Sequence, residues 1–357
     1  MSTIDAPRAV DAPRGGGLAP RGRVLALCGG VGGAKLAHGL AMALAADELS
    51  VVVNTGDDFR HLGLYVAPDL DSVMYALAGL SDPLRGWGRR DETWRFMAAL
   101  RELGGEDWFQ LGDADLAVHI ERTWRLASGA GLSEVTAHLC ERLGIGVRVL
   151  PMSDDPVRTR VHTADGWLDF QDYFVRHQCR PVVRAFRFEG AERARASAAF
   201  MAALADASLR AVVICPSNPF VSIEPILALP GVREALQRAA APIVAVTPII
   251  AGQAVKGPAA KMLAELALPV TAAGVAQRYA GLIDAFVLDS ADGPSDALID
   301  ARPDLRPEMR PGAPRAPVPR VRFEHTATLM VTPQDRMRLA GEVLRIADEL
   351  PRGTRRG

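Results

Sequence analysis

No sign of charge dominates this sequence: 41 basic residues stand against 42 acidic ones, a formal net charge of -1. With no long block of one sign, a broad nucleic-acid footprint is excluded, and any phosphate must be held locally. Cysteine is scarce and scattered. Cys28, Cys140, Cys179 and Cys215 make none of the close pairs that build zinc sites or redox motifs, so they read as inert thiols in a reducing cytoplasm. No apolar run is long enough to span a membrane, and residues 1–22 lack the continuous apolar core of a secretory signal. Internal repeats are absent too. There is no Ser-His-Asp signature, nucleophile elbow or dense histidine cluster, which favours direct transfer with electrostatic help over covalent catalysis.

What is present is alternation. Buried-strand segments at Arg23–Cys28, Leu49–Thr55, Val147–Met152, Ala211–Ser217, Ile243–Ile249 and Ile283–Asp289 are separated by helical patterns. These patterns cover Ala34–Ala45, Leu70–Ala78, Glu92–Leu103, Asp115–Leu126, Leu132–Leu143, Ala191–Leu204 and Pro333–Leu350, and predict an α/β fold with a parallel sheet. Arg158–Val161 and Trp167–Val175 read as a hairpin. The consecutive helices from Leu70 to Leu143 exceed a single crossover, so residues 69–144 read as an inserted helical subdomain. The expected organisation is a flexible leader (1–22), a main domain (23–290), a Pro/Arg-rich linker (291–320), and a terminal strand and helix (321–357) packing back on the core.

The stretch VLALCGGVGGAKLAHGL, Val24–Leu40, runs a strand into glycines and then a helix, where backbone N–H groups and a helix N-terminus face an anion. Gly29, Gly30, Gly32 and Gly33 permit close approach, and Lys35 is either a phosphate contact or a solvated helix residue. The dinucleotide fingerprint fails, because Lys35 replaces its third glycine and the second strand ends at Asn54 instead of an acid. The P-loop fails as well, because Leu36 follows Lys35 where Ser or Thr belongs.

Next comes VVVNTGDDFRHLGLYVAPDLD, whose strand-end carboxylates suit a hard cation. We place Asp58 and Asp71 in a metal or hydroxyl-contact role, Asp57 in a glycine turn, and Asp69 at a helix N-cap. Asp115 is either an N-cap or a site residue, and His119 reads as a packing histidine. MSDDP at Met152–Pro156 and CPSNP at Cys215–Pro219 close further strands, at the carboxyl edge where open α/β sheets place their ligands. A last glycine turn, with Lys256 and Lys261, offers a second anion contact.

Taken together, CGGVGGAKL, VVVNTGDDF, PDLDSVMY, RGWGRRDETW, LGDADLAVHI, LPMSDDP, FQDYFV, PSNPFVSI, TPIIAG and TLMVTPQDRMRLA make the sequence resemble the 2-phospho-L-lactate transferases (CofD-like) of deazaflavin coenzyme F420 biosynthesis. The resemblance covers roughly Val24 to Asp289 and the last helix. It implies a Rossmann-like, mostly parallel sheet with helices on both faces. It also implies a Mg2+-dependent transfer of a phospholactyl, phosphoenolpyruvyl or phosphoglyceryl group from its guanosine diphosphate ester to the ribityl hydroxyl of the deazaflavin Fo. The products would be F420-0, or its dehydro form, and GMP. By the same resemblance the deazaflavin falls to Asp71, Gln110 and Asp113, with Gln110 where a related member has Lys. Nucleotide and phosphates fall to the four glycines, Lys35, Asn54, Ser217 and Asn218, and the catalytic and metal roles to Asp58 and Asp71. A cytoplasmic protein, without nucleic acid or membrane and leaning to a homodimer, is implied. The alternative is a non-catalytic nucleotide-sugar-binding regulator of the gluconeogenesis-factor type, which shares the glycine loop.

Overall fold

The structure, a computed structural model, describes residues 22–293 and 321–353. The expected leader apart from Gly22, and the expected linker apart from residues 291–293, lie outside these. Seven parallel strands form the central sheet: β1 (Arg23–Cys28), β2 (Leu49–Val53), β3 (Arg148–Pro151), β4 (Leu209–Ile214), β5 (Ile243–Val246), β6 (Ala285–Asp289) and β7 (Arg322–Thr326). Their order is β7-β6-β5-β4-β1-β2-β3. The chain thus winds outward from β1 in both directions, and the strand order reverses between β1 and β4, the position at which such sheets bind ligands.

Pairing Leu25 with Ser50 and with Val212 fixes the register across the centre. Alternate residues then feed two cores. Val24, Ala26, Val51, Val213 and Val244 face α1 (Gly30–Ala43), α2 (Pro68–Leu77), α5 (Leu132–Arg142) and the terminal helix α6 (Pro333–Glu349). Leu25, Leu27, Val212, Ile214 and Phe286 face the helices Ala198–Leu204, Val232–Arg238, Ala259–Glu265 and Ala272–Arg278. Burial on both faces is why these strands are continuous apolar runs instead of alternating ones.

Most expected strands overrun the observed ones at their carboxyl ends. β2 stops at Val53, β4 at Ile214 and β5 at Val246, and just beyond them the side chains of Asn54, Ser217 and Thr247 make loop hydrogen bonds. The hairpin is Arg158–Thr163 against Gly166–Asp169, and Ala185–Glu189 adds a third antiparallel strand. Its expected second strand ends early, since Asp172–Arg176 coils into a π-helical turn. Between β2 and β3 lie α2, α3 (Arg95–Glu102), α4 (Asp113–Ala127) and α5. α2 and α5 join the helix layer of the sheet, leaving α3, α4 and the loop before α3 near the carboxyl ends of the strands.

Candidate active site

α1 begins at Gly30, four residues before the expected Ala34, so the glycine run is the first turn of the helix itself. Low helix propensity is overridden here by packing. Gly30 holds φ +63°, a left-handed value glycine tolerates best, and its N–H donates to Asp69 Oδ1 at 2.7 Å. A β-carbon on Gly29 would strike Asp69 and lie 2.8 Å from Ser222 Cβ, and one on Gly32 would strike the Pro216 carbonyl. Glycine therefore seats the helix end against the β4 loop. The first turn has no acidic residue of its own; Asp69 takes the Gly30 N–H, and the rest of the positive end faces the cavity that Gly29, Gly30, Val31 and Gly32 line.

That cavity has a volume of about 600 Å³. Lys35, Ser217, Asn218 and Lys256 line it together with Asp57 from the β2–α2 connection and Asp69 and Asp71 from the first turn of α2. Asp115 and His119 of α4, Phe109 and Gln110 before it, and Phe170 and Phe174 complete the wall. Ser217 Oγ donates to Gly29 O at 2.9 Å and accepts from Gly29 N at 3.2 Å, tying the PSNP loop to the glycine turn. Asn218 Oδ1 caps Phe220 N at 2.9 Å. Lys35 Nζ donates to Met330 O at 2.7 Å, and burial first, then Arg336 and Lys256, hold it below the ordinary lysine range.

Several expected site residues sit elsewhere. Asp58 does not line the cavity. Its Oδ2 accepts from Tyr65 Oη at 2.9 Å, and burial pushes its carboxyl up to about 8 despite Arg158 and Arg122 nearby. Asp57, expected only in a turn, lines the cavity instead. Burial, Asp69 and Asp58 push it well above the carboxylate range. Asp69 is not the N-cap of α2, which is Ala67. It bridges Gly30 N and the Asn54 amide, and burial raises it to about 6. Asn54 is fully buried outside the cavity lining, giving Nδ2 to Asp69 Oδ2 at 2.9 Å and to Val221 O at 3.1 Å. Gly33 likewise lies outside the lining; a β-carbon there would strike Ser217 Oγ and come within 2.8 Å of Cys28 Cβ.

Asp113, expected at the deazaflavin, caps α3: it accepts from Phe96 N at 3.1 Å and Arg95 N at 3.2 Å. Glu92 returns the arrangement by accepting from Ala114 N and Asp115 N, both at 2.8 Å, at the start of α4. The RDETW and LGDAD segments thus cap each other's helices, and Asp113 leaves the site for that reason. Lys261 turns away into an ion pair with Glu265.

Asp71 pairs with Arg122, a guanidinium only 1% exposed, through both carboxylate oxygens. Arg122 Nη1 also lies 3.2 Å from His119 Nδ1, and His119 Nε2 is 3.3 Å from Asp115 Oδ2. Asp71, Asp115 and His119 could gather a metal among the described residues, but the guanidinium already supplies positive charge there. Burial pushes Asp115 up, while His119, Tyr75 and Arg122 together bring it below the usual range. Sequence reasoning missed Tyr75, Phe109, Thr328 and Met330 as lining residues. Phe170 and Phe174, stacked with centroids 5.4 Å apart, were missed as well, because their segment was expected as a hairpin strand.

A doubly wound parallel sheet, with the start of α1 and buried carboxylates meeting at a cavity beside the strands' carboxyl ends, defines an α/β protein with a small-molecule site at its switch point. The family model for 2-phospho-L-lactate transferase CofD matches residues 24–309, and the chain belongs to that family of transferases. It is 45% identical over 285 residues to the phosphoenolpyruvate transferase of Kitasatospora aureofaciens, covering 78% of this chain and 88% of that one. To the phosphoenolpyruvate transferase of Mycobacterium tuberculosis H37Rv it is 42% identical over 295 residues, covering 76% and 88%. A solved structure of a UPF0052-family protein from Bacillus halodurans aligns with TM-score 0.52 at 16% identity, over 77% of this chain and 82% of that one, and shows the shared fold.

Proposed function

We propose that the protein transfers a phosphoenolpyruvyl group from its guanosine diphosphate ester to the terminal ribityl hydroxyl of Fo, giving the dehydro form of F420-0 in coenzyme F420 biosynthesis. The hydroxyl oxygen bonds to the phosphorus bearing the acid, the bridging P–O bond breaks, GMP leaves with the bridging oxygen, and the hydroxyl proton is released. One observation carries the reading: a single cavity offers a helix N-terminus with Lys35 on one wall and the aromatic rings of Phe109, Phe170 and Phe174 on another. Such a cavity suits a diphosphate and a flat ring system together. The choice of phosphoenolpyruvate over phospholactate or phosphoglycerate is supported by the relatives' names at 42–45% identity.

In this reading the glycine turn and Lys35 hold the diphosphate, Ser217 and Asn218 adjoin the nucleotide, Gln110 contacts the ring system, and Asp71 adjoins the hydroxyl. The residues present fit Mg2+, for Asp57 Oδ1 and Asp58 Oδ1 are buried carboxylate oxygens without hydrogen-bond partners. Asp57, on the cavity side, would hold the ion, with Asp58 behind it, while both oxygens of Asp71 are taken by Arg122. When bound it would neutralise charge on the bridging phosphates and departing GMP. A cytoplasmic homodimer belongs to the same proposal; among the described residues no helix is long and apolar enough to cross a membrane.

The test is incubation of the protein with Mg2+, Fo and each of the three guanosine diphosphate esters, read by mass spectrometry. GMP and a phosphodiester product are expected, fastest with the phosphoenolpyruvyl ester. Absence of GMP from all three would overturn the proposal.

A further inference from the structure

The chain holds only three lysines, Lys35, Lys256 and Lys261, the rest of its 41 basic residues being arginine. Two of the three line the one cavity. Lys261 has its carboxylate in Glu265. Lys35 and Lys256 make no ion pair among the described residues: Lys35 Nζ holds Met330 O, and Lys256 Nζ reaches Gly86 O at a weak 3.4 Å. Their charges lie close enough for Lys256 to help depress Lys35. Lys256 also packs directly on the Gly86 peptide, where a β-carbon would coincide with its ammonium group. It therefore joins two cavity walls, the loop before α3 and the turn before Ala259–Glu265.

Two neighbouring cations with no ion pair among the described residues suit a ligand with two neighbouring anionic groups. In the donor proposed above, the phosphate ester oxygen and the carboxylate share one carbon of the acid, so those two charges are adjacent. The α-phosphate of the guanosine half also adjoins that phosphate, and titration with plain GDP tells the two anions apart. We infer that Lys256 is a specificity-determining residue that binds the carboxylate of the transferred acid, beside the phosphate held by Lys35 and the α1 N-terminus. This rests on the proposed donor. A compact ammonium on a flexible stem can exchange a 3.4 Å carbonyl contact for a carboxylate without moving the backbone.

Calorimetric titration of wild type, Lys256→Gln and Lys256→Arg with enolpyruvyl guanosine diphosphate and with plain GDP separates the halves of the donor. Lys256→Gln is expected to weaken the ester by about tenfold or more. Its GDP affinity should stay within about twofold, which also shows that the variant is folded, and Lys256→Arg should recover most of the loss. Equal weakening of ester and GDP would put Lys256 on the nucleotide phosphates, and no weakening of either would put it outside the site; both results overturn the inference. If wild type binds the ester yet releases no GMP with Fo, the acceptor reading fails while the affinities still judge Lys256. If wild type does not bind the ester, donor and inference fall together.

Discussion

At the scale of single residues, the site is governed by which carboxylates have a cation. Asp71 is paired with Arg122 in a buried fork, and Asp58 feels the same guanidinium. Replacing Arg122 by Leu removes the one fully buried guanidinium between them. The loss expected is about 3–5 kcal/mol of folding free energy, since removing one partner strands a charge out of water. Urea unfolding followed by circular dichroism measures it, and a change below about 1 kcal/mol would mean that the pair is solvated or replaced. The sequence marked the NTGDD and PDLD acids as a group, because strand-end carboxylates are visible as a pattern. It did not reveal which of Asp57 and Asp58 turns inward. Adjacent side chains there separate to opposite sides of one loop, and the Tyr65 hydroxyl that claims Asp58 lies on a different strand, beyond any local signal.

Elements tell a similar story. The strands were legible because two-sided burial writes itself as continuous valine, leucine and isoleucine, whereas the start of α1 was not, because four glycines argue locally against a helix. Only the Pro216–Ser217 loop, nearly 190 residues on, explains them. Gly32→Ala is therefore expected to destabilise by about 1–3 kcal/mol, since the new methyl meets the Pro216 carbonyl, and to weaken GDP binding by prising the helix end from the β4 loop. Gly341→Ala is the control. That residue lies mid-helix in α6, exposed, with open space around its β-carbon, and the same change there should stabilise by about 0.5–1 kcal/mol. Thermal melts of both variants decide the matter, and equal shifts of one sign would contradict the packing account. The capping exchange between Glu92 and Asp113 escaped sequence reading for a related reason: each acid serves the other segment's helix, not its own.

For the whole molecule, Asp57, Asp58 and Asp69 concentrate buried negative charge near one end of the sheet, and this sets how stability depends on pH. All three are raised by burial, Asp58 to about 8 and Asp69 to about 6. A raised carboxyl binds its proton more tightly folded than unfolded, so its contribution is complete in acid and is lost as pH rises through the folded value. The histidines His38 and His61 are depressed, which works the other way, but their share is complete about one pH unit above 6.5. Between pH 6.5 and 8.5 the carboxylates dominate, and unfolding free energy is expected to fall by about 2 kcal/mol without added metal. A divalent cation competes with the proton for the same oxygens, so millimolar Mg2+ should stabilise far more at pH 8.5 than at pH 6.5. Asp57→Asn, which removes one buried carboxylate from the cavity side, should gain on the order of 1 kcal/mol at pH 8.5 without metal and lose most of the Mg2+ response. Urea midpoints of wild type and variant at both pH values, with and without Mg2+, test this. Mg2+ stabilisation that is equal at the two pH values would separate cation from carboxylates, and an undiminished response in Asp57→Asn would move the ion away from Asp57.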